Sequence, residues 1–104
     1  MDALEQLYLS DNKLINVDAL LCACPNLKIL DIAKNRIESI KIESVHLQEL
    51  WANDNSLASL TDLHVSAPLR TIYLHGNPLS TGSSHQHYHQ DLRVMIPTLV
   101  HIDN

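Results

Sequence analysis

The chain has 104 residues and a formal net charge of −5, enough for one small domain with a modest core. It holds no Lys/Arg cluster, which argues against a nucleic-acid or anionic-membrane surface; either would need a basic stripe. Gly and Pro are scarce, so the chain is neither a linker nor a disordered tail, and no apolar run approaches the roughly 20 residues of a spanning helix.

The first stretch, MDALEQLYLS, lacks the basic start and long apolar region of a secretory signal. Leu4, Leu7, Leu9, Asn12 and Leu14 follow the spacing L-x-x-L-x-L-x-x-N-x-L. That spacing returns at Leu27, Leu30, Ile32, Asn35 and Ile37, then at Leu47, Leu50, Ala52, Asn55 and Leu57, and again at Leu69, Ile72, Leu74, Asn77 and Leu79. The asparagines lie 23, 20 and 22 residues apart. This is the signature of leucine-rich repeats. The expected fold is α/β: a leucine-rich-repeat solenoid, a right-handed β-α superhelix. A short parallel sheet lines its concave face, and helical or 3-10 segments form the convex side. Residues 1–79 make four repeats, starting near 4, 27, 47 and 69, and residues 80–104 make a C-terminal cap. Asn12, Asn35, Asn55 and Asn77 are expected to form a structural ladder that satisfies backbone groups in successive turns.

Three connectors join the strands. Val17, Leu20 and Leu21 predict a short helix ended by Pro25. Cys22 and Cys24 lie here; two residues apart, they cannot staple the domain, and no second cysteine pair completes a metal site. They read as small buried thiols in a reduced, intracellular protein. The second connector, SIKIESVH, predicts an extended or 3-10 path. The third, ASLTDLHVSAP, predicts a helix with Asp62 as its N-cap. Beyond Leu79, STGSSHQH reads as a polar loop and Tyr88 to Met95 as a helix, with Leu92 and either Met95 or Ile96 inward. Pro97 ends it, and Leu99 and Ile102 resume an extended path. His85, His87, His89 and His101 read as solvated histidines rather than metal ligands. The first strand has no cap, so its open edge predicts either a longer array or self-association through this repeat.

Residues between the inward leucines point to the other side of each strand. Tyr8, Asp31, Trp51 and Tyr73 occupy one position in successive strands and should stand in a row about 5 Å apart per step. Glu49 and Asn53 flank Trp51. Aromatic side chains grouped on one open face are the residue types that dominate protein interfaces. An enzyme reading fails for want of a pocket with paired catalytic groups, and no cofactor is expected. The assignment is therefore partner binding by Asp31, Glu49, Trp51, Tyr73, Tyr8 and Asn53.

The stretches LEQLYLSDN, LKILDIAKNRIESI, LQELWANDNSLASLTDL, LRTIYLHGNPL and YHQDLRVMIPTLVHIDN, in that order, resemble the last four repeats and cap of the leucine-rich-repeat regulatory subunit of protein phosphatase-1, of the regulatory-subunit-seven type. The repeat alone is generic. More specific is E-L-W-x-N-D-N followed in the next repeat by T-x-Y-L-x-x-N-P-L, then Y…P-x-L-x-x-I-D. The resemblance implies a non-catalytic, nuclear and cytoplasmic regulator, an inhibitor or targeting subunit. Its concave face would bind the phosphatase catalytic subunit, with Asp31, Glu49, Trp51 and Tyr73 at binding positions. A second family with an E-L-W strand, the axonemal dynein light chains with leucine-rich repeats, carries another complete repeat before its N-P-L and is less similar here.

Overall fold

The fold is a computed structural model that describes residues 3–42, 45–80 and 88–103. Strands β1 (Gln6–Tyr8), β2 (Ile29–Asp31), β4 (Glu49–Trp51), β6 (Thr71–Tyr73) and β7 (His101–Ile102) form one parallel sheet in the order β1-β2-β4-β6-β7. Leu7, Leu30, Leu50, Ile72 and Ile102 are in register across it. Leu30, Leu50, Ile72 and Ile102, with Leu27, Ile32, Leu47, Leu69 and Leu74, lie in the core, and half-buried Leu7 packs against it. Burying one such side chain contributes roughly 1.5–3 kcal/mol, which a lone three-residue strand cannot obtain. The architecture is an α/β repeat fold.

A smaller parallel sheet backs the first. It pairs β3 (Ile40–Ile42) with β5 (Leu63–Val65), Ile40 opposite Leu63 and Ile42 opposite Val65. Ile40 and Ile42 are buried while Lys41 points outward, the alternation a half-covered strand requires. The extended path expected for the second connector is thus a strand. Helix α1 (Asp18–Ala23) fills the corresponding place in the first connector. Asn16 Oδ1 accepts the Asp18 amide at 2.8 Å, and the Cys24 amide closes the last turn on Leu21 before Pro25.

Two expectations need correction here. The third connector is not a helix capped by Asp62. Ser59 is the N-cap of a 3-10 turn, Leu60–Asp62, and Asp62 stands at its third position, accepting the Ser59 amide in a reciprocal capping box. The chain then enters β5, because Leu63 and Val65 alternate inward and pair with β3. The thiols also differ from each other. Cys24 is buried, but Cys22 is exposed: Cys22 lies on the outer side of α1, and Cys24 follows its end, where the chain turns back to the core.

Helix α2 (Tyr88–Met95) closes the far end of the core. Tyr88, Leu92 and Ile96 recur every four residues and are buried, whereas Met95 is exposed; Ile96 is the inward residue of that pair. After Pro97, Thr98 Oγ1 donates to the Leu69 carbonyl at 2.6 Å, and Leu99 and Ile102 enter the core as β7 joins β6.

Asn35, Asn55 and Asn77 tie successive turns together, whereas among the described residues the Asn12 side chain bonds only its own turn, donating to the Leu9 and Ser10 carbonyls. Asn35 Oδ1 accepts the amides of Asn12 and Leu14, and its Nδ2 donates to the Leu9 and Ile32 carbonyls. Asn55 accepts from Ile37 and donates to Ile32 and Ala52. Asn77 accepts from Asn55 and Leu57 and donates to Ala52 and Leu74. The residue before each asparagine is left-handed: Asp11 (φ 60°), Lys34 (58°), Asp54 (59°) and Gly76 (77°). That conformation turns each asparagine under the strand it follows.

Candidate functional site

The outer face of the five-stranded sheet is built by the residues that alternate with the core leucines. Strand register places Tyr8 beside Asp31, Asp31 beside Trp51, and Trp51 beside Tyr73. The indole of Trp51 and the ring of Tyr73 lie 4.5 Å apart between centroids at 42°. Such a pair is worth about 0.5–1.5 kcal/mol beyond its buried area. Trp51 remains 37 % exposed and Tyr8 60 %.

Each exposed aromatic is held by the residue two before it on the same strand face. Trp51 Nε1 donates to Glu49 Oε1 at 2.5 Å, and the Tyr8 hydroxyl donates to Gln6 Oε1 at 3.1 Å. This restrains the rings while they stay partly exposed, which lowers the rotamer entropy lost on binding. Half-buried Asp31 accepts the Ala33 amide through Oδ1 at 3.1 Å. Asn53 donates to Asp54 at 2.9 Å, while its buried Oδ1 has no hydrogen-bond partner among the described residues.

Asp31, Trp51, Asn53 and Tyr73, with His75 and Asp103, line an open cleft of about 380 Å³. Glu49 and Gln6 belong to a second cleft of about 420 Å³ on the same face, at the other end of the strands, beside Lys28, Arg70 and His101. Lys28 there pairs with Glu5 at 3.5 Å. Tyr8 stands at the edge strand, outside both clefts.

One residue of this face was missed in the sequence. Asp103 follows Ile102, which pairs with Ile72, so it extends the row beyond Tyr73. Its Oδ1 accepts the Leu74 and His75 amides at 2.6 and 3.0 Å, and its Oδ2 lies 3.2 Å from His89 Nε2. The signal was present: Leu99-x-x-Ile102-Asp103 has the spacing of Leu27-x-x-Leu30-Asp31.

His85 and His87 lie outside the described residues. Among the described residues no three side chains of metal-ligating type are arranged so that they could hold a metal ion, and no helix is long and apolar enough to cross a membrane. No curated protein matches the chain. A family model described as leucine-rich repeats, in two copies, matches residues 2–44, so that part of the chain carries leucine-rich repeats, which generally serve as protein-interaction modules.

Proposed function

We propose that the chain is a non-catalytic interaction module that binds the catalytic subunit of protein phosphatase-1, as a regulatory subunit or part of one. In this reading the repeats form a solenoid, and the outer face of the main sheet is its concave, binding side. The observation that carries the proposal is the row Tyr8–Asp31–Trp51–Tyr73, with two aromatic rings in contact and open to solvent beside a carboxylate. Aromatic anchors held in place on a rigid sheet suit the centre of a protein interface. Kinship with the phosphatase regulator is supported by the E-L-W, Y-L and N-P-L motifs and by the cap ending in I-D. A nuclear and cytoplasmic location follows from the same reading.

A pull-down with the phosphatase-1 catalytic subunit tests it. The full chain should retain the subunit, and Trp51→Ala with Tyr73→Ala should release it. Each anchor is worth about 2 kcal/mol or more, some thirtyfold in affinity. Retention undiminished in the double variant refutes the assigned face. Failure of the unaltered chain to bind refutes the partner.

A further inference from the structure

We propose that the rim where the chain enters the main sheet is a second docking surface, distinct from the aromatic row. Its occupant is an extended acidic segment of a partner protein, with two carboxylates three residues apart. Lys28, Gln48 and Arg70 stand immediately before β2, β4 and β6. The Gln48 and Glu49 amides bond the Lys28 carbonyl at 2.8 and 3.0 Å, and the Arg70 and Thr71 amides bond the Gln48 carbonyl at 2.9 and 3.1 Å. These main-chain bonds fix the three residues on successive rungs, about 5 Å apart. All three are exposed.

A cleft lies on each side of this rim, and Lys28, Gln48 and Arg70 line both. The cleft on the sheet face also holds Glu5 and Glu49, and both carboxylates are engaged, Glu5 with Lys28 at 3.5 Å and Glu49 with the Trp51 indole. The second cleft, of about 440 Å³, is completed by Val45, His46, Pro68 and Thr98. None of its described lining residues is acidic, in a chain whose net charge is −5. Among the described residues the Arg70 guanidinium and the Gln48 side-chain amide meet no hydrogen-bond or ion-pair partner. The Lys28–Glu5 pair is solvent-exposed on both sides, so a competing carboxylate can replace or share it.

Charge complementarity names the occupant. Ammonium, amide and guanidinium groups on consecutive rungs offer many donors, and two of the three carry positive charge, so they suit anionic acceptors. Lys28 and Arg70 are two rungs apart, about 10 Å. In a polyproline-II segment, residues i and i+3 fall on one side of the chain, about 9 Å apart. Carboxylates at those two positions meet Lys28 and Arg70 together, and Gln48 lies between them for the peptide main chain. Val45, 64 % exposed, and Pro68 offer the apolar surface for a side chain between the two acids. A nucleic acid fits less well, because two cations beside Glu5 and Glu49 do not make a basic stripe.

The test is an NMR titration of the full chain with the peptide Gly-Glu-Pro-Leu-Glu-Gly, blocked at both ends. The Arg70 Nε–H signal and the Gln48 side-chain amide should shift saturably, and added salt should weaken the response. The same peptide with glutamine for both glutamates, or with the two glutamates adjacent, should bind about tenfold more weakly or worse. Lys28→Gln with Arg70→Gln should lower affinity for the first peptide by at least about tenfold while leaving Tm within a few degrees, since both side chains are exposed. Trp51→Ala with Tyr73→Ala should leave this binding unchanged, so the proposal and the phosphatase reading fail separately. Shifts that spare Arg70 and Gln48, or equal responses to the glutamate and glutamine peptides, overturn the proposal. So does an oligothymidylate that produces the same shifts at lower concentration, for then the occupant is a nucleic acid.

Discussion

The Asp103 carboxylate accepts the Leu74 amide at 2.6 Å, a place that a backbone carbonyl fills along the rest of the sheet. Leu9, Ile32 and Ala52, the counterparts of Leu74, donate to the carbonyls of Asp31, Trp51 and Tyr73. Asp103 is left-handed at φ 63°, which turns its own carbonyl away and lets the side chain take over. The last strand edge is thereby closed by one carboxylate that also holds the His75 amide and faces His89 on α2. Asp103→Ala should cost about 2 kcal/mol in urea unfolding, since two amides lose a charged acceptor. Asp103→Asn, which keeps an acceptor oxygen, should cost less than half as much.

The ladder makes a graded prediction. Asn35 is buried and bonds backbone groups of two turns, so Asn35→Ala should destabilise by roughly 3 kcal/mol or more through several unmet polar groups. Asn12 is exposed and accepts no amide among the described residues; Asn12→Ala should cost under about 1 kcal/mol. Thermal unfolding of the two variants should separate them clearly.

The left-handed step before each asparagine gives opposite outcomes at two positions. Gly76 has φ 77°, and a Cβ there would lie 2.0 Å from Asp54 Oδ1 and 3.2 Å from the Asp54 amide nitrogen. The carboxylate can swing aside, but the backbone cannot; Gly76→Ala should cost about 1–2 kcal/mol. Lys34 occupies the same step with a side chain, at φ 58°. Lys34→Gly should be neutral or stabilising by up to about 1 kcal/mol, the relief of strain partly offset by unfolded-chain entropy. Denaturant midpoints decide both.

The two thiols should titrate apart. Cys22 is exposed and Cys24 buried, so a thiol reagent such as Ellman's should modify Cys22 promptly in the native chain. Cys24 should react only at the rate of unfolding, and denaturant should release it at once.

The strands were legible because each places apolar residues at L-x-x-L-x-L, a spacing with one stacked solution. The outer row followed from it, since alternation along a strand fixes the face of Asp31, Trp51 and Tyr73 once Leu30, Leu50 and Ile72 are inward. The connectors were less legible. Leu60, Leu63 and Val65 suit a helix or a strand equally in such a short segment, and only pairing with Ile40 and Ile42 selects the strand. Ser59 and Asp62 form a capping box whose direction was misread. The left-handed steps at Asp11, Lys34 and Asp54 left no trace, because only Gly76 among them is a glycine. The Asp103 latch went unseen because its carboxylate replaces a main-chain group, which no pattern of side-chain polarity announces.

The central claim is that the indole of Trp51 is part of a protein-docking face, and it can be watched directly. Trp51 is the sole tryptophan, so the chain labelled with 5-fluorotryptophan carries one fluorine reporter. Addition of the unlabelled phosphatase-1 catalytic subunit should shift and broaden its fluorine NMR signal, saturably and in step with binding measured by calorimetry. A signal that stays unchanged while the subunit is bound contradicts the account.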